Sequence, residues 1–259
     1  MTVIAVTGGR DSTNVAWIRS RLDVVRDGMT FLAHGDARGT DRIAAAWADD
    51  AGVRHSGGTF AARWEALGRC AGHSRNQEII DSVRPDALHA FFGGAGTADM
   101  VSRCRRSGVP IVHEAPTSPL TLIQESLRGD PWRMLVACVL LNLTSHRQVR
   151  PVLGPLFEMH PTPESMSASD PEAVADVIRV CGMQQRRAVG IRRMSQDFVI
   201  WRDSGFDGPV TELHGVGPYA ADSWAIFQDM NVMGVEPNDA KLDGYVRWAH
   251  SEAIVGSGR

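Results

Sequence analysis

Leu213-His214-Gly215-Val216-Gly217-Pro218-Tyr219-Ala220-Ala221-Asp222 decides the fold of half this chain. Two glycines two residues apart, flanked by apolar Leu213 and Val216, make a tight turn between helices. Backbone N–H groups in such a turn can face a phosphate without any positive side chain. Twenty residues after Tyr219 comes Val235-Glu236-Pro237-Asn238-Asp239-Ala240-Lys241-Leu242. Asn238 and Asp239 both suit a helix N-cap. A carboxylate held there in a dry pocket could also stabilise positive charge developing on a sugar and position water. Lys241 and a helix N-terminus would keep Asp239 ionised. Lys241 is the only lysine in the chain, which suits a role that a guanidinium cannot fill.

Around these motifs the pattern is helical. Pro131-Trp132 opens an apolar run, Met134 to Leu141, and helical patterns follow at 147–160, 171–180 and 186–201. No strand-like alternation appears, so this part is expected to be all-α. It begins after Ala115-Pro116-Thr117-Ser118-Pro119, which divides the chain into a first domain over 1–116 and a second over 120–259.

Before that linker, strands alternate with helices. Val3-Ile4-Ala5-Val6 runs into Thr7-Gly8-Gly9-Arg10-Asp11, with a helix from about Thr13. Thr30 to Ala33 runs into His34-Gly35-Asp36-Ala37-Arg38-Gly39-Thr40-Asp41, with a helix from Ile43 to Ala51. Ala87 to Phe92 runs into Gly93-Gly94-Ala95-Gly96-Thr97, and a further helix precedes a strand at Val109 to Val112. This order predicts an α/β, Rossmann-like parallel sheet, with ligands at the carboxyl ends of its strands. Three Gly-rich turns there would put bare N–H groups and helix N-termini around an anion.

Composition narrows the classes. At 259 residues, 43% apolar and 22% charged, the chain can build two modest soluble domains. It shows no bilayer-length apolar run and no signal peptide, so the expected compartment is the cytoplasm, with no membrane partner. Cys70, Cys104, Cys138 and Cys181 form no C-x-x-C pair and read as buried reduced thiols. The nine histidines show no metal-ligand spacing, and no metal site is expected. The tryptophans read as core, with a reservation for Trp64 ahead of Arg75-Asn76. A net charge of −3 is not the footprint of a nucleic-acid binder, and the C-terminal half is the more acidic. Local patches such as Arg186-Arg187 and Arg192-Arg193 matter more than that sum.

The three N-terminal turns, joined by Arg10, Arg38 and Arg75-Asn76, resemble the SLOG superfamily, which includes the lysine-decarboxylase-like phosphoribohydrolases. The nearest branch carries G-G-R-D, H-G-x-A-R-G-x-D and A-G-x-x-R-N motifs, here Gly8 to Asp11, His34 to Asp41 and Ala71 to Asn76. The resemblance covers residues 2–113. It implies a ligand site made by Gly8, Gly9, Arg10, Asp11, His34, Gly35, Arg38, Gly39, Asp41, Arg75, Asn76, Gly93, Gly94, Gly96 and Thr97. The phosphoribohydrolases carry a catalytic glutamate where this chain has Met100, which cannot transfer a proton. Asp99 is one place off and is expected to face elsewhere. The domain is therefore expected to bind a nucleotide, sugar phosphate or modified base without cleaving it.

The C-terminal half resembles helix-hairpin-helix DNA glycosylases, which place their essential aspartate at this distance beyond the hairpin. Within them, residues 121–248 look like the mismatch thymine/uracil glycosylase that accompanies methyl-CpG-binding domains in animals. The matching stretches are Leu122 to Leu127, Asp130-Pro131-Trp132, Leu141-Asn142 with Thr144-Ser145, Pro151 to Leu153, the hairpin through Ser223, and Asp239 to Leu242. The resemblance implies that Gln124 reads the Watson–Crick edge of a flipped pyrimidine, that Tyr219 packs in the base pocket, and that Asp239 and Lys241 complete the catalytic set. Tyr219 stands where bifunctional relatives have a Schiff-base lysine, so a monofunctional enzyme leaving abasic sites is expected. The iron–sulfur cysteines of endonuclease III-like relatives are missing, and catalysis is expected to need no cofactor. A structural monovalent cation at the hairpin is the one ion anticipated.

Double-stranded DNA is the expected partner, through Leu143, Thr144, Met183, Gln184, His214, Gly215, Val216 and Gly217. Leu143 departs from the family, whose arginine fills the gap left by the flipped base; an apolar wedge can still prop open the stack. The altered wedge, joined to a sugar-phosphate pocket, points to a hypermodified or glucosylated pyrimidine in phage DNA and to antiviral defence. The alternatives are G·T or G·U mismatch repair, a catalytically inactive DNA-binding ligand sensor, and an enzyme acting on nucleotides through the N-terminal pocket.

Overall fold

The computed structural model describes residues 2–256, which form two compact units. The first contains residues 2–118 with 229–236 and 243–256; the second contains 119–228 with 237–242. A single cut in the Pro-containing linker had assigned everything after residue 120 to the helical domain. The contacts instead place most of the C-terminal end with the first unit.

In the first unit, β1 (Thr2–Thr7), β2 (Met29–Ala33), β3 (Ala87–Phe91) and β4 (Ile111–Glu114) form one sheet in the order β2-β1-β3-β4. Every neighbouring pair is parallel. Parallel strands require crossovers. They are supplied by α1 (Val15–Val24), α2 (Thr40–Ala51), the short α3 (Trp64–Leu67), α4 (Ala71–Val83) and α5 (Ala95–Arg106). Ile4 and Val6 of β1 pack with Ile18 and Leu22 of α1 and with Ala44, Trp47 and Ala48 of α2. Trp47 is buried, and its indole N–H donates to Asp23 at 2.7 Å, so the ring leaves no unsatisfied polar atom. The last strand starts two residues later than the sequence suggests. Pro110 has no N–H to give the ladder, although its carbonyl accepts from Leu88 at 2.8 Å.

The returning C-terminal segments are held by specific bonds. Gly93 N–H donates to Met230 O and Met233 N–H donates to Gly93 O, both at 2.9 Å. Arg105 pairs with Asp229 at 2.9 Å. Tyr245 is fully buried with its ring edge-on to Phe92.

The second unit is helical: α6 (Pro131–Leu141), α7 (His146–Met159), α8 (Pro163–Ser167), α9 (Pro171–Val177), α10 (Gln184–Asp203) and α11 (Pro218–Phe227). Asp130 caps α6 by accepting from Arg133 N–H at 3.1 Å, with Pro131 in the first turn, where a missing N–H costs nothing. Trp132, Met134 to Cys138 and Leu140 are all buried, which makes α6 the central helix. The final helix, α12 (Ala240–Trp248), begins among residues of the second unit and continues among those of the first. Cys104, Cys138 and Cys181 are buried free thiols, whereas Cys70 is exposed, contrary to expectation. Among the described residues no helix is long and apolar enough to cross a membrane.

Candidate functional site

The second unit contains a cavity of about 510 Å³ whose lining includes Gln124, Asn142, Leu143, Tyr219, Asp239 and Lys241. Gln124 sits in a short 3-10 turn (Ile123–Leu127) and is 2% exposed. Its Nε2 donates to the Tyr219 hydroxyl at 2.7 Å and to Ser223 Oγ at 3.3 Å. Both amide protons are thereby used, and Oε1 remains as an acceptor. Tyr219 lies in the first turn of α11. Burial, then the nearby Cys138 and Asp239, push its phenol pKa up, so it stays protonated.

Asp239 is half-buried at the start of α12. Its Oδ1 accepts from the N–H groups of Lys241 and Leu242, each at 3.0 Å. The carboxylate is thus an N-cap with its second oxygen outside both cap bonds. The Lys241 ammonium was expected to support Asp239. Instead, Nζ donates to His146 Nδ1 at 2.9 Å, and only the Lys241 backbone serves the carboxylate. The positive charge of Lys241 pulls the His146 pKa down, leaving its Nδ1 free to accept.

A second depression of about 410 Å³ gathers Leu143, Met183, Arg186, Arg187, His214 and Gly215. The Leu143 side chain is 89% exposed and that of Met183 51%. Both adopt left-handed backbone conformations, φ 59° and φ 48°, which for such residues cost energy and persist only where the surroundings enforce them. Arg187 enforces the first. It is buried, and its guanidinium donates to Leu140 O, to Asn142 O at 2.7 Å and to Thr144 Oγ1 at 2.6 Å. Thr144 in turn donates to Cys181 O at 3.2 Å, tying the Leu143 loop to the Met183 loop. Arg187 was grouped with Arg186 as a surface charge; the structure makes it an internal staple, and the Thr144 hydroxyl is committed with it. Arg186 and Gln184, at the start of α10, are exposed and half-buried.

In the hairpin, Gly215 adopts φ 75°, a conformation suited to glycine, and both it and Gly217 are exposed. Val216 is buried, and its N–H is used by Leu213 O at 3.1 Å. His214 N–H is fixed by Asp197 at 2.9 Å.

The first unit has a cavity of about 340 Å³ lined by Gly8, Arg10, Asp11, Asp41, Arg75, Asn76 and the turn Gly94 to Thr97, together with Trp64, Arg69, His73 and Met233. A neighbouring depression of about 600 Å³ includes Gly35 and Arg38. Gly9, His34, Gly39 and Gly93, also expected at the ligand site, line neither of these cavities. The glycine-rich turns bond to protein rather than offering bare N–H groups. Gly9 N–H donates to Phe92 O at 2.9 Å, Gly35 N–H to Asp41 at 3.0 Å, and Gly93 N–H to Met230. A Cβ on Gly39 would lie 2.3 Å from Gly9 O, so glycine there allows two loops to touch. Positive charge comes from side chains instead. Arg10 lies over the Trp64 ring at 5.0 Å, while Arg38 pairs with Asp11 at 2.8 Å. Arg75 donates to Gly35 O and to Asn76 Oδ1. Burial raises the pKa of Asp41, opposed by Arg75 and by the N–H groups of Ala37 and Gly35. Asp99, expected to face elsewhere, is not among the lining residues; it is set against Asn76 at 2.9 Å, His73 at 3.1 Å and Arg103 at 2.8 Å, while Met100 is buried.

Sequence reasoning missed Ser223, His146, Asp197, Arg69, His73 and Met233 at these sites. None carries a local signal, because each acts through a partner distant in sequence.

Residues 2–66 match the model of the YspA, cpYpsA-related SLOG family. The chain is 40% identical over 132 residues to a methyl-CpG-binding domain protein 4-like protein of Arabidopsis thaliana, covering 50% of this chain and 28% of that protein. It is 31% identical over 100 residues to a thymine/uracil-DNA glycosylase of Pyrobaculum aerophilum, covering 36% and 42% of the two. It is 29% identical over 100 residues to a thymine-DNA glycosylase of Aeropyrum pernix, covering 36% and 43%. The chain spans less than half the length of each of these relatives. Residues 2–66 are thus similar to the SLOG family, and the C-terminal part of the chain is similar in sequence to thymine/uracil DNA glycosylases.

Proposed function

We propose that the helical unit is a monofunctional DNA glycosylase acting on a flipped pyrimidine. The observation that carries this reading is the meeting of Gln124, Tyr219 and Asp239 on one cavity. Gln124 Oε1 would accept from the N3–H of a thymine or uracil or the 4-amino group of a cytosine. Asp239 would stabilise the developing sugar cation through its uncapped oxygen and orient water onto C1′. The C1′–N bond then breaks, the base leaves with the bonding pair, and water supplies hydroxyl to C1′ and a proton to the base. With tyrosine at position 219 no Schiff base forms, and the product is an abasic site. Exposed Leu143 and Met183 would occupy the space vacated in the stack. The N–H groups of the exposed Gly215 and Gly217, with Arg186, would hold the phosphates.

The favoured substrate is a bulky modified pyrimidine, glucosylated or otherwise hypermodified, in phage DNA. A cavity of about 510 Å³ is roomy for a bare pyrimidine, and Leu143 cannot hydrogen-bond an orphaned partner base. The reaction would then serve antiviral defence. Similarity to thymine/uracil glycosylases favours a second reading, excision from G·T or G·U mismatches. The first-unit cavity would bind a nucleotide or sugar phosphate. Mass spectrometry of bases released from glucosylated, G·U and G·T duplexes tests the reading. Release from glucosylated DNA supports defence, rapid release from G·U alone supports repair, and DNA binding without release leaves an inactive sensor.

A further inference from the structure

We propose that His146 is a positioning residue of the excision site: it holds the Lys241 ammonium away from Asp239, so that the uncapped oxygen of the carboxylate stays open to the sugar. The inference rests on the glycosylase reading of the helical unit.

His146, Asp239 and Lys241 line one cavity, and Asp239 is the only carboxylate among its lining residues. An unrestrained ammonium there would settle on that carboxylate, because opposite charges attract more strongly where water is partly excluded. Such a pair would compete with the sugar cation for the same oxygen and weaken binding of the transition state. The bonds run otherwise. Asp239 Oδ1 accepts from the N–H groups of Lys241 and Leu242, while Lys241 Nζ donates to His146 Nδ1 at 2.9 Å. Among the described residues no ion pair joins Lys241 to Asp239.

This bond needs a neutral imidazole, since Nδ1 has to accept. The surroundings keep it neutral. His146 is the first residue of α7, whose N-terminal end carries partial positive charge and whose first turn holds no acidic side chain. Lys241 of α12 first, then desolvation, then Arg147 and Arg150 of its own helix, hold the His146 pKa below the ordinary 6.5. The turn leading to it is fixed as well. Thr144 Oγ1 accepts from Arg187 at 2.6 Å, Ser145 Oγ donates to Gln148 Oε1 at 2.8 Å, and Gln148 Nε2 donates to Val180 O at 3.0 Å. Protonation of His146 removes the acceptor and sets two positive charges side by side, which releases the ammonium towards Asp239.

The test follows single-turnover base release by the full chain from glucosylated, G·U and G·T duplexes as the pH is lowered from about 7.5 to about 5. Because Lys241 is the only lysine, isotopic labelling of lysine Cε gives a single NMR signal that reports this ammonium alone. Wild type should lose excision about fivefold or more on acidification, in step with a shift of that signal. His146→Ala should be slower than wild type by about fivefold or more at neutral pH and should lose most of the acid decline. His146→Asn, whose Oδ1 takes the place of Nδ1 and accepts at every pH, should restore the rate and hold it into the acid range. Excision by His146→Ala at the wild-type rate, or an acid decline in His146→Asn equal to that of wild type, overturns the proposal while the glycosylase reading stands. A lysine signal that responds neither to pH nor to His146→Ala contradicts the pairing itself. If wild type cuts none of the duplexes at any pH, the glycosylase reading fails, and the proposal falls with it.

Discussion

Gln124 donates to the phenolic oxygen of Tyr219 at 2.7 Å, across 95 residues of chain. That bond fixes which end of the carboxamide faces the cavity: the protons are spent on Tyr219 and Ser223, and the carbonyl oxygen is left to meet a base. Gln124→Ala removes this acceptor and should lower excision about tenfold or more, the cost of one hydrogen bond in a buried site. The loss should appear in single-turnover rates at saturating enzyme. An unchanged rate would show that Gln124 only packs.

Leu143 is the most exposed large apolar side chain in the helical unit and has a left-handed backbone. A feature that costs stability and buries nothing in the free protein suits contact with a partner. Leu143→Gly should leave the urea-unfolding midpoint unchanged or raise stability by up to about 1 kcal/mol, while excision from duplex DNA falls. If stability drops and excision does not, the residue is no wedge.

Arg187 should behave in the opposite way. Removing its guanidinium takes a donor from the Leu140 carbonyl in the interior, and from Asn142 O and Thr144 Oγ1 nearer the surface, and unties the Leu143 loop. Arg187→Met is expected to cost about 3 kcal/mol of stability. Denaturant unfolding measures this, and a cost under about 1 kcal/mol would contradict the staple.

His34 sets a pH dependence on the first unit. It is fully buried, with Nε2 2.9 Å from Nδ1 of His55, whose Nε2 lies 3.1 Å from Asp49. Burial, then the neighbouring His55, lower its pKa from 6.5 to about 4. Between those values the unfolded chain binds a proton that the native site refuses. Stability therefore falls as pH drops from about 6.5 towards 4, by up to about 3 kcal/mol. In His34→Gln the decline between pH 7 and 5 should flatten, and an identical slope in variant and wild type would remove His34 as its source.

Much of the fold was legible because it is written locally. Val3 to Val6 is a continuous apolar run and Ala87 to Phe92 one broken only by His89, and each leads into a glycine turn, which fixes both a buried strand and its turn. The Gly215–Gly217 turn and Asp239 could be paired through their spacing. Contacts chosen by tertiary packing were not legible. The pattern Leu242, Tyr245, Ala249 says that α12 buries one face, but not against which unit. Arginine reads as a surface residue, so Arg187 gave no hint of its three internal acceptors. Asp99 sits one residue before the family's glutamate position, and because a helix turns 100° per residue it meets His73, Asn76 and Arg103 instead of lining the cavity.

The most direct measurement compares wild type with Asp239→Asn on a duplex carrying a glucosylated pyrimidine, scoring alkali-labile sites and free base. Asparagine caps a helix as well as aspartate does, so the variant should keep its fold and DNA affinity. It should lose excision by a factor on the order of 10² to 10³ or more. Excision at an undiminished rate in the asparagine variant would contradict the role given to this carboxylate.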